Sequence, residues 1–333
     1  MSITVLMPGM QTTVQDLGRT GYQKYGVIAG GAADSYALRV ANLLVGSDEG
    51  AAGLEITLSG PVLQFECEAL IAVTGGDLSP SVDGVPLPMW RPVLVPEGAE
   101  LRFGAAKSGC RAYLAAAGGF DVPTIMGGRG TYLRAGIGGF EGRELRTGDV
   151  LPLGEPSEAG KQLAGELSSS SGKPFASVSW HADNRYIPPG RTSLTVRAMR
   201  GPEFEKFTTG SREFGFRRPF EATPQCDRMG CRLAGSSLVL ERPVDMLSEA
   251  VAPGTVQVPP DGNPILLLAD RQTAGGYPRI AQVAAVDLPI AAQLRPGQRI
   301  SFLEITVEEA ERLYRKREDQ IRMMKQFMKI SPL

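Results

Sequence analysis

Short apolar runs, each closed by a glycine, proline or aspartate turn, recur through residues 54–153 and dominate what this chain can fold into. Leu54–Leu58, Val62–Phe65, Leu70–Val73, Val93–Val95, Leu101–Phe103, Ala112–Ala115 and Val150–Leu153 are too short for helices. Ser59-Gly60-Pro61, Gly75-Gly76-Asp77, Asp83-Gly84, Glu97-Gly98 and Gly118-Gly119 separate them. Runs of this length, with a turn about every ten residues, build a sandwich or a closed barrel. The second half, Leu194 to Glu304, reads the same way, and 41 Gly and 25 Pro supply the turns. The predicted class is mainly β with a few helices.

The halves also echo each other. Asp34 and Arg39 recur as Asp227 and Arg232, Glu55 and Gly60 as Glu249 and Gly254, and Asp77 as Asp270, at a nearly constant separation. This predicts two related β domains, 1–153 and 179–305. A Ser/Gly/Pro-rich linker over 154–178 joins them, and a helix over 306–333 follows. Thr306-Val307-Glu308-Glu309 is a capping box. Val307, Ala310, Leu313, Tyr314, Ile321, Met324, Phe327 and Met328 form its apolar stripe. Asp34 is placed to cap a helix over Ser35–Val45. Residues 3–7 read as a strand, and Pro8–Arg19 as a polar loop presenting Thr12, Thr13, Gln15, Asp16 and Arg19.

Composition excludes several functions. With 35 basic and 36 acidic residues there is no field to gather nucleic acid or an anionic membrane. No apolar run approaches the roughly 18 residues of a membrane span. No basic segment with an apolar core opens the chain, so a cytoplasmic location and reduced thiols are expected. The four Cys (67, 110, 226, 231) form no CxxC pair, and the single histidine, His181, sits in linker-like sequence. A structural zinc site, a two-histidine metal site and a Ser-His-Asp relay are therefore not expected.

What remains is polar clusters at turns. The fullest is Asp270-Arg271-Gln272-Thr273, entered from the apolar run Ile265–Ala269 and closed by Gly275-Gly276-Tyr277-Pro278. Others are Gln15-Asp16 with Arg19, Asp227-Arg228-Met229-Gly230, and Gln257 inside an apolar strand before Pro259. They offer carboxylates, amides, hydroxyls and guanidiniums without a dedicated nucleophile, a set suited to a small polar acid or amide. The loop Gly127-Gly128-Arg129-Gly130-Thr131-Tyr132 reads either as an anion cradle of backbone N–H groups or as a plain surface loop.

Ordered motifs over nearly the whole chain resemble a known family. They are Pro8-Gly9-Met10-Gln11-Thr12-Thr13-Val14-Gln15-Asp16-Leu17-Gly18-Arg19, Gly31-Ala32-Ala33-Asp34, Leu54-Glu55-Ile56, Asp227-Arg228-Met229-Gly230, Pro253–Pro259 and Ala269-Asp270-Arg271-Gln272-Thr273 with Gly275-Gly276-Tyr277-Pro278. The chain resembles the biotin-dependent carboxyltransferase family that includes the C subunits of 5-oxoprolinase, also called KipA or allophanate hydrolase subunit 2. The resemblance implies cyclophilin-like β-barrel domains. It implies two partners, a B subunit of the KipI type and an A subunit of the LamB/YcsF type. Together they would open 5-oxo-L-proline to L-glutamate with ATP, bound with the partner subunits, and this chain would be inactive alone. Related members imply two alternatives: carboxyl transfer from carboxybiotin to urea or a similar amide, or antagonism of a histidine-kinase inhibitor. No biotin-attachment sequence is present, so any biotin would arrive on another chain. For the lactam reaction the expected catalytic residues are Asp270, Arg271, Gln272, Thr273 and Tyr277. The expected substrate-binding residues are Gln15, Asp16, Arg19, Asp34, Asp227, Arg228 and Gln257, with no metal.

Overall fold

The computed structural model describes residues 1–168, 174–183 and 192–330. They fall into two units: one from the described residues within 1–20, 30–190 and 320–333, the other from those within 21–29 and 191–319.

In the first unit the strands form two six-stranded sheets. One runs Val150–Pro152, Ser2–Met7, Val62–Phe65, Glu100–Arg102, Ser81–Val82, Val85–Pro86. The other runs Ala176–Ser177, Val93–Val95, Ala69–Asp77, Ser108–Ala116, Gly53–Thr57, Gln11–Gln15. Ile3, Phe65, Leu101, Ile71, Val73 and Leu114 meet in one core between them. Side chains alternate across a strand, so Leu70 and Ala72 face the other way. There they meet two helices, α1 (Ser35–Leu44) and α2 (Glu158–Leu167), through Leu38, Leu44, Leu163 and Leu167. Covered on both faces, the first part of Ala69–Asp77, residues 69–73, reads as a continuous apolar run.

The second unit is a closed seven-stranded barrel. Its order is Ser193–Arg200, Arg279–Val283, Thr255–Gln257, Ile265–Leu267, Gly230–Ala234, Phe220–Cys226, Arg299–Glu304. The last strand pairs in parallel with the first, which removes the open edges. Val196, Phe220, Leu233, Leu266, Ile300 and Phe302 fill its core. Helices α3 (Thr209–Arg217) and α4 (Leu288–Ala292) belong to this unit, and α5 (Val307–Ile330) follows. No helix among the described residues is long and apolar enough to cross a membrane.

Cap chemistry places the helix starts as expected. Asp34 accepts the Ala37 N–H at 2.9 Å and Thr306 accepts the Glu309 N–H at 3.2 Å. The α5 stripe is buried only late: Ile321 and Met328 are covered, while Val307, Tyr314 and Phe327 are exposed.

Four expectations change. Gln11–Gln15 is a buried edge strand, not a loop, because most of its polar side-chain atoms bond within the fold, Gln15 Oε1 being left without a partner. Thr12 donates to the Pro8 carbonyl, and Gln15 to Thr13 and to the Thr131 carbonyl. The stretch read as a linker carries α2 and the strand Ala176–Ser177, since Leu163 and Leu167 find apolar cover; residues 169–173 lie outside the described residues. The residue pairing between halves does not match local structure. Asp34 caps a helix while Asp227 closes a hairpin, and Glu55 is buried while Glu249 is exposed. Finally, Cys226 and Cys231 oppose each other across that hairpin with Cα atoms 4.0 Å apart and are joined in a disulfide. Cys67 and Cys110 take no part in that disulfide.

One ion pair gives the barrel an acid-sensitive bolt. Glu203 accepts from Arg279 through Nε and Nη2, both at 2.8 Å, and from the Arg279 N–H at 3.0 Å. These bonds hold its carboxyl below the ordinary 4.5. A depressed carboxyl contributes stability that is complete above its unfolded value and is lost as pH falls through the folded one. Urea midpoints should therefore drop below about pH 4.5. Glu203→Gln should flatten that drop.

Candidate functional site

In the second unit, the chain leaves the strand Ile265–Leu267 and enters Asp270–Tyr277. Asp270 accepts both arms of Arg228, Nε at 2.8 Å and Nη2 at 2.9 Å, and its N–H donates to the Arg228 carbonyl at 2.8 Å. Both side chains are buried. The pair fastens the strand end to the hairpin turn Asp227–Gly230. Asp227 shapes that turn, with Oδ1 accepting the N–H groups of Met229 at 2.7 Å and Gly230 at 3.0 Å. Arg271 is buried beside the pair and donates to the Val251 carbonyl at 3.0 Å. Burial pushes its pKa down, and the nearby Asp270 charge opposes that.

A cavity of about 240 Å³ opens above this base. That is room for about eight waters at ~30 Å³ each. Three amides line it, Gln225, Gln257 and Gln272, with Asp227, Arg232 and Tyr277. The amides hold one another loosely. Gln272 Nε2 donates to Gln257 Oε1 at 3.4 Å, and Gln257 Nε2 donates to the Tyr277 carbonyl at 3.4 Å. Bonds that long are weak and exchange readily for a ligand's. Arg232 pairs with Asp261 at 2.8 Å, with both partly exposed. Among the described residues, Asp227 is the sole carboxylate lining the cavity.

Gln15, Asp16 and Arg19 form a separate cluster in the first unit. The Asp16 carboxylate accepts the N–H groups of Gly18 at 2.8 Å, Arg129 at 2.5 Å and Gly130 at 3.1 Å. The Gly-rich loop is thus an anion cradle, and its anion is the protein's own Asp16. Arg19 Nη2 donates to the Gly130 carbonyl. A Cβ on Gly130 would lie 2.8 Å from Gln15 Oε1 and 2.9 Å from Asp16 Oδ1, so the close approach needs glycine. A phosphate does not fit a cradle already filled.

The family model of the carboxyltransferase domain, subdomain A and B, matches residues 25–304. The chain belongs to this carboxyltransferase family. Its fold is the mainly β, cyclophilin-like arrangement that the sequence motifs implied. The carboxyltransferase chain is 39% identical to the C subunit of 5-oxoprolinase from Escherichia coli (strain K12) over 330 residues, 97% of each chain. It is 38% identical to the C subunit of 5-oxoprolinase from Haemophilus influenzae over 325 residues, 96% of this chain and 97% of the relative. The crystal structure of the Kluyveromyces lactis urea carboxylase superposes with a TM-score of 0.86 at 32% identity, over 97% of this chain and 29% of that one.

The structure gathers Asp227, Gln257, Gln272 and Tyr277 around one cavity and sets Asp270, Arg228 and Arg271 in its support. Thr273 does not line it; its carbonyl accepts the Val251 N–H at 3.2 Å. Gln15, Asp16 and Arg19 share the loop cluster instead, and Asp34 is spent on its helix cap, with its own N–H bonded to the Tyr113 hydroxyl at 2.8 Å. Gln225 was not singled out from the sequence, and Met229 and Arg232 stood there within motifs and not as expected site residues. Gln225 was within reach: strand alternation puts it on the same side as Asp227. Among the described residues, no group of three or more His, Cys, Asp or Glu is placed to hold a metal ion.

Proposed function

We propose that this chain is the C subunit of an ATP-dependent 5-oxoprolinase, opening 5-oxo-L-proline to L-glutamate with an A subunit of the LamB/YcsF type and a B subunit of the KipI type. The observation that carries this reading is the 39% identity to a protein of that name over 97% of both chains. The cavity supports it chemically. A lactam presents one N–H and one C=O side by side, which a primary amide matches with one acceptor and one donor. Gln257 and Gln272 supply such amides. Arg232 can exchange Asp261 for the substrate carboxylate. Asp227 is the base positioned at the ring, while Asp270 acts through Arg228 as a positioning group.

ATP supplies the energy to activate the ring amide when bound with the partner subunits, and no step on it falls to residues of this chain. Any biotin is expected to arrive on another chain, since this sequence carries no biotin-attachment motif. Carboxyl transfer to urea is the second reading, favoured by the 0.86 superposition on urea carboxylase but at the lower identity of 32%. The deciding assay mixes the purified chain with its A and B partners, ATP and 5-oxoproline. Glutamate formed only in the complete mixture supports the first reading. No ATP-coupled glutamate, with carboxylation of urea from carboxybiotin instead, replaces it with the second.

A further inference from the structure

A cavity of about 530 Å³ opens at the Asp77 corner of the first unit, apart from every group invoked so far. Its backbone is built irregularly. Asp77 faces Ser108, yet Gly75 faces Ala112, so the strand Ser108–Ala116 bulges there. Bulges re-aim side chains beside sites. Gly75 allows the fit, at φ +79° and with a Cβ that would meet the Arg111 carbonyl at 2.5 Å. Ser79 and Trp90 both line the cavity with left-handed backbone, at φ 52° and 62°. For a residue as bulky as tryptophan that conformation is costly, and such strain gathers at binding sites.

Three nitrogen-bearing side chains are brought to this one space. The Lys107 N–H donates to the Asp77 carbonyl at 2.8 Å, which sets Lys107 at the rim. Arg91 Nη1 donates to the carbonyls of Val178 at 3.1 Å and Ser179 at 3.3 Å. Ala182 donates to the Trp90 carbonyl at 2.8 Å. These bonds pin the segment that carries His181 against the cavity. Arg91 Nε is buried and has no hydrogen-bond partner. Neither Lys107 nor Arg91 is held in an ion pair among the described residues. Asp77 is the one acid lining the space, and its Oδ1 already accepts the Ser79 N–H at 2.7 Å. Leu87, Met89 and Trp90 supply the apolar part of the lining.

We infer that this cavity binds a small organic anion, its carboxylate or phosphate on Lys107, Arg91 and His181 and its planar body against Trp90 and Met89. An ammonium and a guanidinium fork are the donors that such oxygens require. The volume lies within the roughly 300–1,000 Å³ of small-molecule sites.

His181 is the only histidine, so its imidazole resonance reports on this cavity without assignment. The probes are benzoate, phenyl phosphate and, as a neutral control, benzyl alcohol, each titrated at constant pH to about 10 mM into the full chain. A saturating His181 shift is expected with an anion and none with the alcohol. Benzoate alone assigns a carboxylate ligand, phenyl phosphate alone a phosphate. Lys107 is exposed, so Lys107→Gln keeps the fold and should weaken binding about fivefold to tenfold. No saturating shift with either anion, an equal response to benzyl alcohol, or unchanged affinity in Lys107→Gln overturns the proposal.

Discussion

Asp270→Ala is expected to destabilise the second unit by about 3–5 kcal/mol, the loss that follows when one partner of a buried ion pair is removed. The reason lies in what stays behind. Arg228 and Arg271 are each 5% exposed, and Asp270 is the carboxylate that offsets both. Without it the bidentate acceptor of the buried Arg228 and the charge beside the buried Arg271 are both lost. Replacing both members of the bidentate pair, as in Arg228→Met with Asp270→Leu, should recover much of the loss, because no uncompensated Arg228 charge is left buried. Urea unfolding of the three proteins measures this. A single variant that unfolds at the wild-type midpoint, yet supports no turnover, would return Asp270 to the chemistry.

Asp227→Asn is expected to lower turnover by about 10²-fold or more with little change in KM, within the range for losing a positioned base. The substitution keeps the oxygen that accepts from Met229 and Gly230, so the hairpin turn should survive. It removes the sole carboxylate lining the cavity among the described residues. The measurement is kcat and KM for ATP-coupled glutamate formation in the three-component mixture, with a urea midpoint to show that the fold is intact. Turnover within about threefold of wild type would leave Asp227 as a turn former only.

Most of the strand plan was legible. Leu54–Leu58, Val62–Phe65 and Val93–Val95 meet the strands Gly53–Thr57, Val62–Phe65 and Val93–Val95 almost end to end, because alternation and turn residues act within a few positions. The strand Gln11–Gln15 was illegible for the opposite reason. Its burial depends on Thr131 and on Glu144, which bonds Gln11 at 2.7 Å, both far along the chain. The candidate site divides the same way. Its turn residues stood out in sequence, but exposure and ion pairing assigned their parts: Gln257 and Gln272 face the cavity, Asp270 is neutralised beneath it, and Asp16 fills a loop that could have held a ligand's anion.

By itself the sequence determined a turn-rich, mainly β chain, the starts of α1 and α5, and membership of a carboxyltransferase family, since each rests on local pattern or on ordered motifs. Only the tertiary structure decided which charged groups are free. Asp270 pairs with the Arg228 guanidinium 42 residues away, and Asp16 accepts from the Arg129 backbone N–H 113 residues away. A carboxylate's chemistry depends on its burial and its nearest opposite charge, and strand pairing sets both.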